Sequence, residues 1–317
     1  MFRRFFIPLL FIVILLTACN LGKTPTAAST STPPAASEPP AEQPPATQLP
    51  PTATPSPSPT PSGPPALPPE PREITFQTSD GQTLSGYYYP AAVNPAPLIV
   101  FMHWVGGDMS DWYEIAVWLQ NRGLKNPFPN PGSESWWDPT WFPPVPEGVL
   151  YGVFIFSFRD CAPANAGCAH WTPEVWLLDA QAAMLKATEL EGVDPTKIVA
   201  MGSSIGADGA PDGCAWLNEQ EPGSCQGALS LSPGSFMDIP YPVVVQTLGE
   251  NQPPTAVWCL ADEQEFGICE SAEIADNPAY QDFMIPGGQH GNMMLRPGLT
   301  PDAMQTILDF LAQTVGP

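Results

Sequence analysis

"KIVAMGSSIGADGA" (Lys197–Ala210) runs from strand-forming residues straight into Gly202-Ser203-Ser204-Ile205-Gly206. The apolar run Ile198-Val199-Ala200-Met201 suits a strand buried on both faces. Glycines two residues either side of Ser204 suit a sharp turn where one backbone passes close to another. This is the G-x-S-x-G pattern, in which a serine hydroxyl is lifted clear of the end of a strand just before a helix starts. The residues that follow include Asp208, Gly209, Pro211 and Gly213. All four are poor in a helix interior, so the pattern predicts only a short helix there.

The segments around this turn alternate in a regular way. Residues 73–91 change between polar and apolar around Ser79-Asp80-Gly81-Gln82, a hairpin signal. Short apolar runs then recur at 97–104, 149–158, 197–203, 227–233, 255–261 and 281–286. Between them lie helical patterns at 110–123, at 172–192 with Thr172 as N-cap and Pro173 behind it, and at 300–316 with a second Thr-Pro opening at Thr300. The alternation predicts an α/β fold: a doubly wound, mostly parallel sheet with an antiparallel hairpin at its leading edge. Residues 124–148 break the rhythm with many prolines and with Trp136, Trp137, Trp141 and Phe142. A long insertion of this kind reads as an apolar wall or lid over a pocket, or as rings that pack the insertion onto the domain.

The 317 residues divide into three parts by composition. Residues 72–317 form the domain. Residues 19–71 are a tether of Pro, Thr, Ser, Ala and Gln, and the stretch Asn20–Pro71 holds 18 of the 44 prolines. Such a segment cannot bury enough apolar surface to offset its ordering entropy. At about 3.1 Å per residue it reaches roughly 160 Å at most. Residues 1–18 read as an export signal, with Arg3 and Arg4 before an apolar run, Phe5 to Leu16, that is too short to span a bilayer. Leu16-Thr17-Ala18-Cys19 resembles the lipobox of bacterial lipoproteins. That resemblance implies lipidation at Cys19, a membrane partner through the N-terminal lipid and an extracytoplasmic place in the cell envelope.

The remaining six cysteines fall into three local couples: Cys161 and Cys168, Cys214 and Cys225, Cys259 and Cys269. Proximity favours these pairings, although spacing alone does not choose among the alternatives. An oxidising compartment would let disulfides persist. Zinc is disfavoured, because neither C-x-x-C nor H-x-x-x-H occurs. No metal or organic cofactor is implied. From Glu73 onward, 29 acidic residues face six basic ones, a balance of −23. A surface so negative repels nucleic acid, which is excluded as a partner.

A serine needs a positioned base and a carboxylate to orient that base. His290 follows the last strand pattern, and Asp262, Glu263 and Glu265 follow the one before it. The chain order serine, acid, histidine is that of α/β-hydrolases. Residues 72–317 resemble a serine-type relative of the dienelactone hydrolase group within that family. The resemblance implies Ser204 as nucleophile, His290 as base and, aligned on Glu270-Ser271-Ala272, Glu265 as acid, with Asp262 as the alternative. It also implies an anion hole from the N–H of Ile205 and from the loop "HWVGGD", where Trp104 stands in place of the family's glycine and Trp104 and Val105 are the candidate donors. His103 reads as a residue that orients this loop. His170 reads as a solvated loop residue that could touch substrate. The activity implied is hydrolysis of a small-molecule carboxylic ester. Amide or peptide cleavage would use the same residues, and a binding module without catalysis could share the scaffold.

Overall fold

The computed structural model describes residues 68–121, 141–161, 168–170 and 172–316. The leader, Cys19, the tether as far as residue 67, and Trp136 and Trp137 lie outside the described residues. Among the described residues, eight strands form one sheet: β1 (Arg72–Gln77), β2 (Thr83–Tyr89), β3 (Ala96–Met102), β4 (Gly152–Phe156), β5 (Val193–Ser203), β6 (Cys225–Leu231), β7 (Ala256–Ala261) and β8 (Tyr280–Met284). Their order is β1-β2-β4-β3-β5-β6-β7-β8. β2 pairs antiparallel with both β1 and β4, and the other pairings are parallel. The expected mostly parallel sheet with an antiparallel edge is therefore present.

Among the described residues, six α-helices cover it: α1 (Tyr113–Leu119), α2 (Pro173–Thr188), α3 (Ile205–Gln220), α4 (Tyr241–Gly249), α5 (Gly267–Glu273) and α6 (Ala303–Thr314). Consecutive strand residues point to opposite faces, which is why the strand runs are apolar throughout. Leu98, Val100 and Met102 of β3 join one core with Trp176 and Ala180 of α2. Ile99 and Phe101 join the other, with Trp112, Ile115 and Phe310.

The helix openings differ in detail from expectation. Asp302, not Thr300, caps α6, accepting from the N–H groups of Met304 and Gln305. Thr172 is the N-cap of α2 with Pro173 behind it, as expected, although its side chain makes no cap bond. A 3-10 turn, Met109–Trp112, leads into α1 and is capped by Asp108, which accepts from the Ser110 N–H.

The largest departure is α3. The pattern predicts a short helix, yet α3 runs for 16 residues through Gly209, Pro211 and Gly213. The small residues serve close packing. A Cβ at Gly209 would fall 2.9 Å from Met237 Cε, and one at Gly213 would fall 2.8 Å from Met184 Cγ. Pro211 has no N–H for the carbonyl one turn back, that of Ala207. The Ser230 hydroxyl takes its place, donating to the Ala207 oxygen at 2.6 Å. Asp208 accepts from the N–H groups of Gly234, Ser235 and Phe236, tying α3 to the loop after β6.

Candidate active site

β5 ends at Ser203 and α3 begins at Ile205, so the whole change of direction falls on Ser204. Its φ of 55° and ψ of −117° are strained for a residue with a side chain. Two glycines make room. A Cβ at Gly202 would overlap the Gly206 carbonyl, and one at Gly206 would overlap the Met102 carbonyl. Ser204 is held there by its own N–H, which donates to the Leu231 oxygen at 2.8 Å. As the first residue of α3, Ile205 has an N–H with no acceptor inside the helix, directed toward this edge.

His290 arrives on the loop after β8. Its Nδ1 lies 2.8 Å from Glu265 Oε1, with both side chains roughly a third exposed. The loop is pinned through its backbone N–H groups by side chains from the ends of three neighbouring strands. Glu263 accepts from Gly287 at 2.7 Å, Asp262 from Gln289 at 3.3 Å, Ser232 from Gly291 at 2.9 Å, and Ser203 from Asn292 at 3.0 Å. Gly291 sits so tightly on the elbow that a Cβ there would overlap Ser203 Oγ and lie 3.9 Å from the Ser204 nitrogen. The neighbours of His290 are thus packed on the two serines.

Asp262 is placed otherwise than Glu265. Its carboxylate accepts from the Gln264 N–H at 3.0 Å as well as from Gln289, and these bonds, the Gln264 one foremost, hold it below the usual carboxylate range. It therefore faces backbone, and Glu265 faces the imidazole.

On the far side of Ser204 lies the loop after β3. His103 is fully buried. The Phe158 N–H donates to its Nε2 at 3.0 Å, so the ring proton is on Nδ1, which donates to the Trp104 carbonyl at 2.7 Å. Burial lowers its pKa to about 4, and the ring is neutral. The Trp104 carbonyl also accepts from the Gly107 N–H. Carbonyl and N–H of one peptide point in opposite directions, so the Val105 N–H faces away from His103. Between the two candidate donors, this geometry favours Val105.

The Trp104 indole folds back over Gly106 and Gly107. A Cβ at Gly106 would fall 2.9 Å from it, and one at Gly107 would strike both the indole and the Asp111 carboxylate. Asp111 is raised to about 7, first by burial and then by the charge of Asp108, with the Trp104 indole N–H opposing.

All three cysteine couples are disulfides: Cys161–Cys168, Cys214–Cys225 and Cys259–Cys269. His103, Cys161 and Cys168 bring potential metal-ligating atoms within 4.8 Å of one another. Both sulfurs are bonded to each other and both ring nitrogens are engaged, so this cluster offers a cation nothing while oxidised.

His170 and Trp141 are the pocket candidates among the described residues. His170 is exposed, with Nδ1 3.9 Å from Asp160 Oδ2. Trp141 is half-buried against the core on the α1 side. Its neighbour Phe142 tilts against Trp118 at 5.5 Å, and the Trp118 indole donates to the Pro143 carbonyl. Gln120 donates to the carbonyls of Tyr89, Pro90 and Tyr151 beside the start of β4. The described end of the insertion therefore meets the sheet where β4 begins, at the edge opposite Ser204.

No family model matches the chain, and no curated protein matches it. Solved structures do. An esterase of Pyrococcus furiosus aligns at 16% identity over 78% of this chain and 94% of that chain, with a TM-score of 0.51. A Pyrobaculum calidifontis esterase aligns at 14% identity over 78% and 85%, with a TM-score of 0.53. An α/β hydrolase from a Penicillium species aligns at 12% identity over 78% and 100%, also at 0.53. With the strand order and the turn at Ser204, these likenesses give the chain the α/β-hydrolase fold.

Proposed function

We propose that the domain hydrolyses carboxylic esters through a serine acyl-enzyme. The observation that carries this reading is the 2.8 Å contact between His290 Nδ1 and Glu265 Oε1, on a loop packed against the Ser203–Ser204 turn. Ser204 Oγ attacks the ester carbonyl and gives its proton to His290 Nε2. Glu265 holds the Nδ1 proton and stabilises the imidazolium that forms. The carbonyl oxygen, now an alkoxide, accepts from the N–H groups of Ile205 and Val105. The intermediate collapses, His290 protonates the departing alcohol, and a water activated by the same ring releases the acid and restores Ser204. The esterases that share the fold support an ester as substrate.

The same proposal places the domain outside the cytoplasm, lipid-anchored at Cys19 and held off the membrane by the 19–71 tether. Support comes from the lipobox-like Leu16–Cys19 and the three disulfides. No helix among the described residues is long and apolar enough to cross a membrane.

Labelling with a fluorophosphonate probe tests the catalytic part. Wild-type protein should be labelled and should hydrolyse p-nitrophenyl butyrate, and Ser204→Ala should do neither. A folded wild-type protein that takes up no probe and cleaves no ester would refute the reading and leave a binding module.

A further inference from the structure

We infer that the Cys161–Cys168 disulfide is a positioning element of the anion hole, so that ester hydrolysis by this domain requires that pair to be oxidised. The inference rests on the proposed reaction at Ser204.

The loop after β4 grips the loop after β3 at two points. At one end the Phe158 N–H donates to His103 Nε2, and the Phe158 ring lies against the imidazole at 5.1 Å. At the other end the Cys168 N–H donates to the Val105 carbonyl at 3.1 Å. Residues 158–161 and 168–169 are tied to each other. Cys161 and Cys168 pair as an isolated antiparallel bridge, the Cys161 N–H donates to the Phe158 carbonyl and the Ala169 N–H to the Asp160 carbonyl. The disulfide closes this bracket covalently. Arg159, inside it, is bolted to α2 and to the β1–β2 turn through Asp179 and Asp80.

What the bracket holds is the peptide pair that matters. The His103 ring fixes the Trp104 carbonyl, and with it the outward direction of the Val105 N–H. The Cys168 N–H fixes the next carbonyl, that of Val105. A donor in an anion hole acts by standing ready at the place where charge develops, and its value falls when its direction is averaged over a mobile loop. The loop needs outside support here, because Trp104-Val105-Gly106-Gly107 has two residues without side chains, and its own contacts are the Gly107 N–H bond to the Trp104 carbonyl and the indole beside Asp111. Without the disulfide, only the Cys161–Cys168 bridge and the Ala169 N–H bond to the Asp160 carbonyl hold the Cys168 N–H against the Val105 carbonyl.

The pair is also the one a reductant reaches most readily. Cys161 is 7% exposed and Cys168 is half-buried, whereas Cys214, Cys259 and Cys269 are fully buried and Cys225 nearly so. A dithiol such as dithiothreitol would deliver two electrons and two protons, break the one S–S bond, and leave as its own cyclic disulfide.

The test compares wild type, the double variant Cys161→Ser/Cys168→Ser and, as control, Cys214→Ser/Cys225→Ser, all as the full chain and all verified as folded by circular dichroism. The first pair should lose kcat for p-nitrophenyl butyrate by about 10- to 100-fold with little change in KM, less than the ~10²- to 10³-fold cost of deleting a donor outright. Affinity for a trifluoromethyl ketone, whose hemiketal oxygen occupies the anion hole, should fall in parallel. The control pair should keep kcat per folded molecule. Should the first variant not fold, native wild type is titrated with dithiothreitol while alkylation of each cysteine is followed by mass spectrometry. Activity should then fall as Cys161 and Cys168 become alkylated and return on reoxidation of unalkylated protein. Full kcat in the folded Cys161→Ser/Cys168→Ser variant, or full activity with both cysteines alkylated, overturns the inference. An inactive wild type fails the ester reading instead.

Discussion

Replacing Glu265 by Gln separates the two carboxylates that compete for His290. The Nδ1–Oε1 distance of 2.8 Å is that of a charge-assisted hydrogen bond. Gln can present its oxygen to the same nitrogen but brings no charge to stabilise the imidazolium. Turned the other way, its NH₂ group leaves Nδ1 as acceptor and puts the ring proton on Nε2, where Ser204 needs a base. For a buried orienting acid this exchange costs about 10⁴ in kcat. Here Glu265 and His290 are 38% and 35% exposed, so water competes for the wrong contact and screens part of the lost charge. The expected loss is about 10³-fold, or about 4 kcal/mol.

Asp262→Asn behaves differently, because the Asp262 oxygens accept from the Gln264 and Gln289 N–H groups. Asn keeps one acceptor of two, and the net value of one such bond is about 1 kcal/mol, so at most about tenfold is lost. The assay is kcat on p-nitrophenyl butyrate at saturating substrate, with a thermal melt of each variant to set aside misfolding. A larger loss in Asp262→Asn than in Glu265→Gln would refute the assignment, as would a loss below about tenfold in Glu265→Gln.

Two further outcomes concern stability. Ser230→Ala removes the donor to the Ala207 carbonyl and should cost about 1–3 kcal/mol by chemical denaturation. Adding Pro211→Ala restores an N–H to that carbonyl and should recover part of the loss, and a strictly additive cycle would sink the substitution of hydroxyl for amide. The pH dependence of melting should also be unusual. Burial raises Asp208 to about 6 and Asp212 well above its ordinary value, and burial with the Asp108 charge raises Asp111 to about 7. The folded state then binds these protons more tightly than the unfolded state, so stability is lost as pH rises from about 4 to about 7. Asp262 and His103 are both lowered and work in the opposite sense, losing stability as pH falls below about 4 and about 6.5 respectively, one imidazole against the three raised carboxylates in the upper window. The melting temperature should peak between about pH 4 and 6, with a flatter basic limb in Asp212→Asn; a higher melting temperature at pH 7.5 than at pH 5.5 contradicts the burial account.

The sheet was legible because strands buried on both faces need apolar residues at every position, and few other segments of this chain have them. The serine turn was legible for a related reason, since Gly202 and Gly206 leave no room for a Cβ. Helices were less so. α4 opens on Tyr241-Pro242-Val243-Val244-Val245, whose β-branched run reads as strand, and α5 is seven residues long and opens on Gly267. The 16-residue length of α3 could not be read from propensity, because tertiary contacts at Gly209 and Gly213 and the Ser230 hydroxyl outweigh it. Ser203 and Ser232 escaped notice as clamps of the His290 loop. Their partners are backbone N–H groups some ninety and sixty residues away, and a backbone amide has no signature in a sequence. The polar residue ending a strand next to the serine turn is the only hint of them.

The proposal of Glu265 over Asp262 rests on where each stands in one turn. β7 ends at Ala261, and the Glu265 N–H donates to the Asp262 carbonyl at 3.0 Å, which closes a turn over residues 262–265. The Asp262 side chain caps that turn from inside by accepting from Gln264, so it is spent on the backbone before it can reach an imidazole. The turn in turn sets Glu265 three residues further on, at the base of α5, where the Ile268 N–H secures its carbonyl and the longer side chain spans the gap to His290. Shortening it would test the span directly. Glu265→Asp keeps the charge and removes one methylene, about 1.5 Å of reach. It should therefore lose most of what Glu265→Gln loses, and near wild-type kcat in this variant would mean that charge near the ring, and not the 2.8 Å contact, is what the reaction uses.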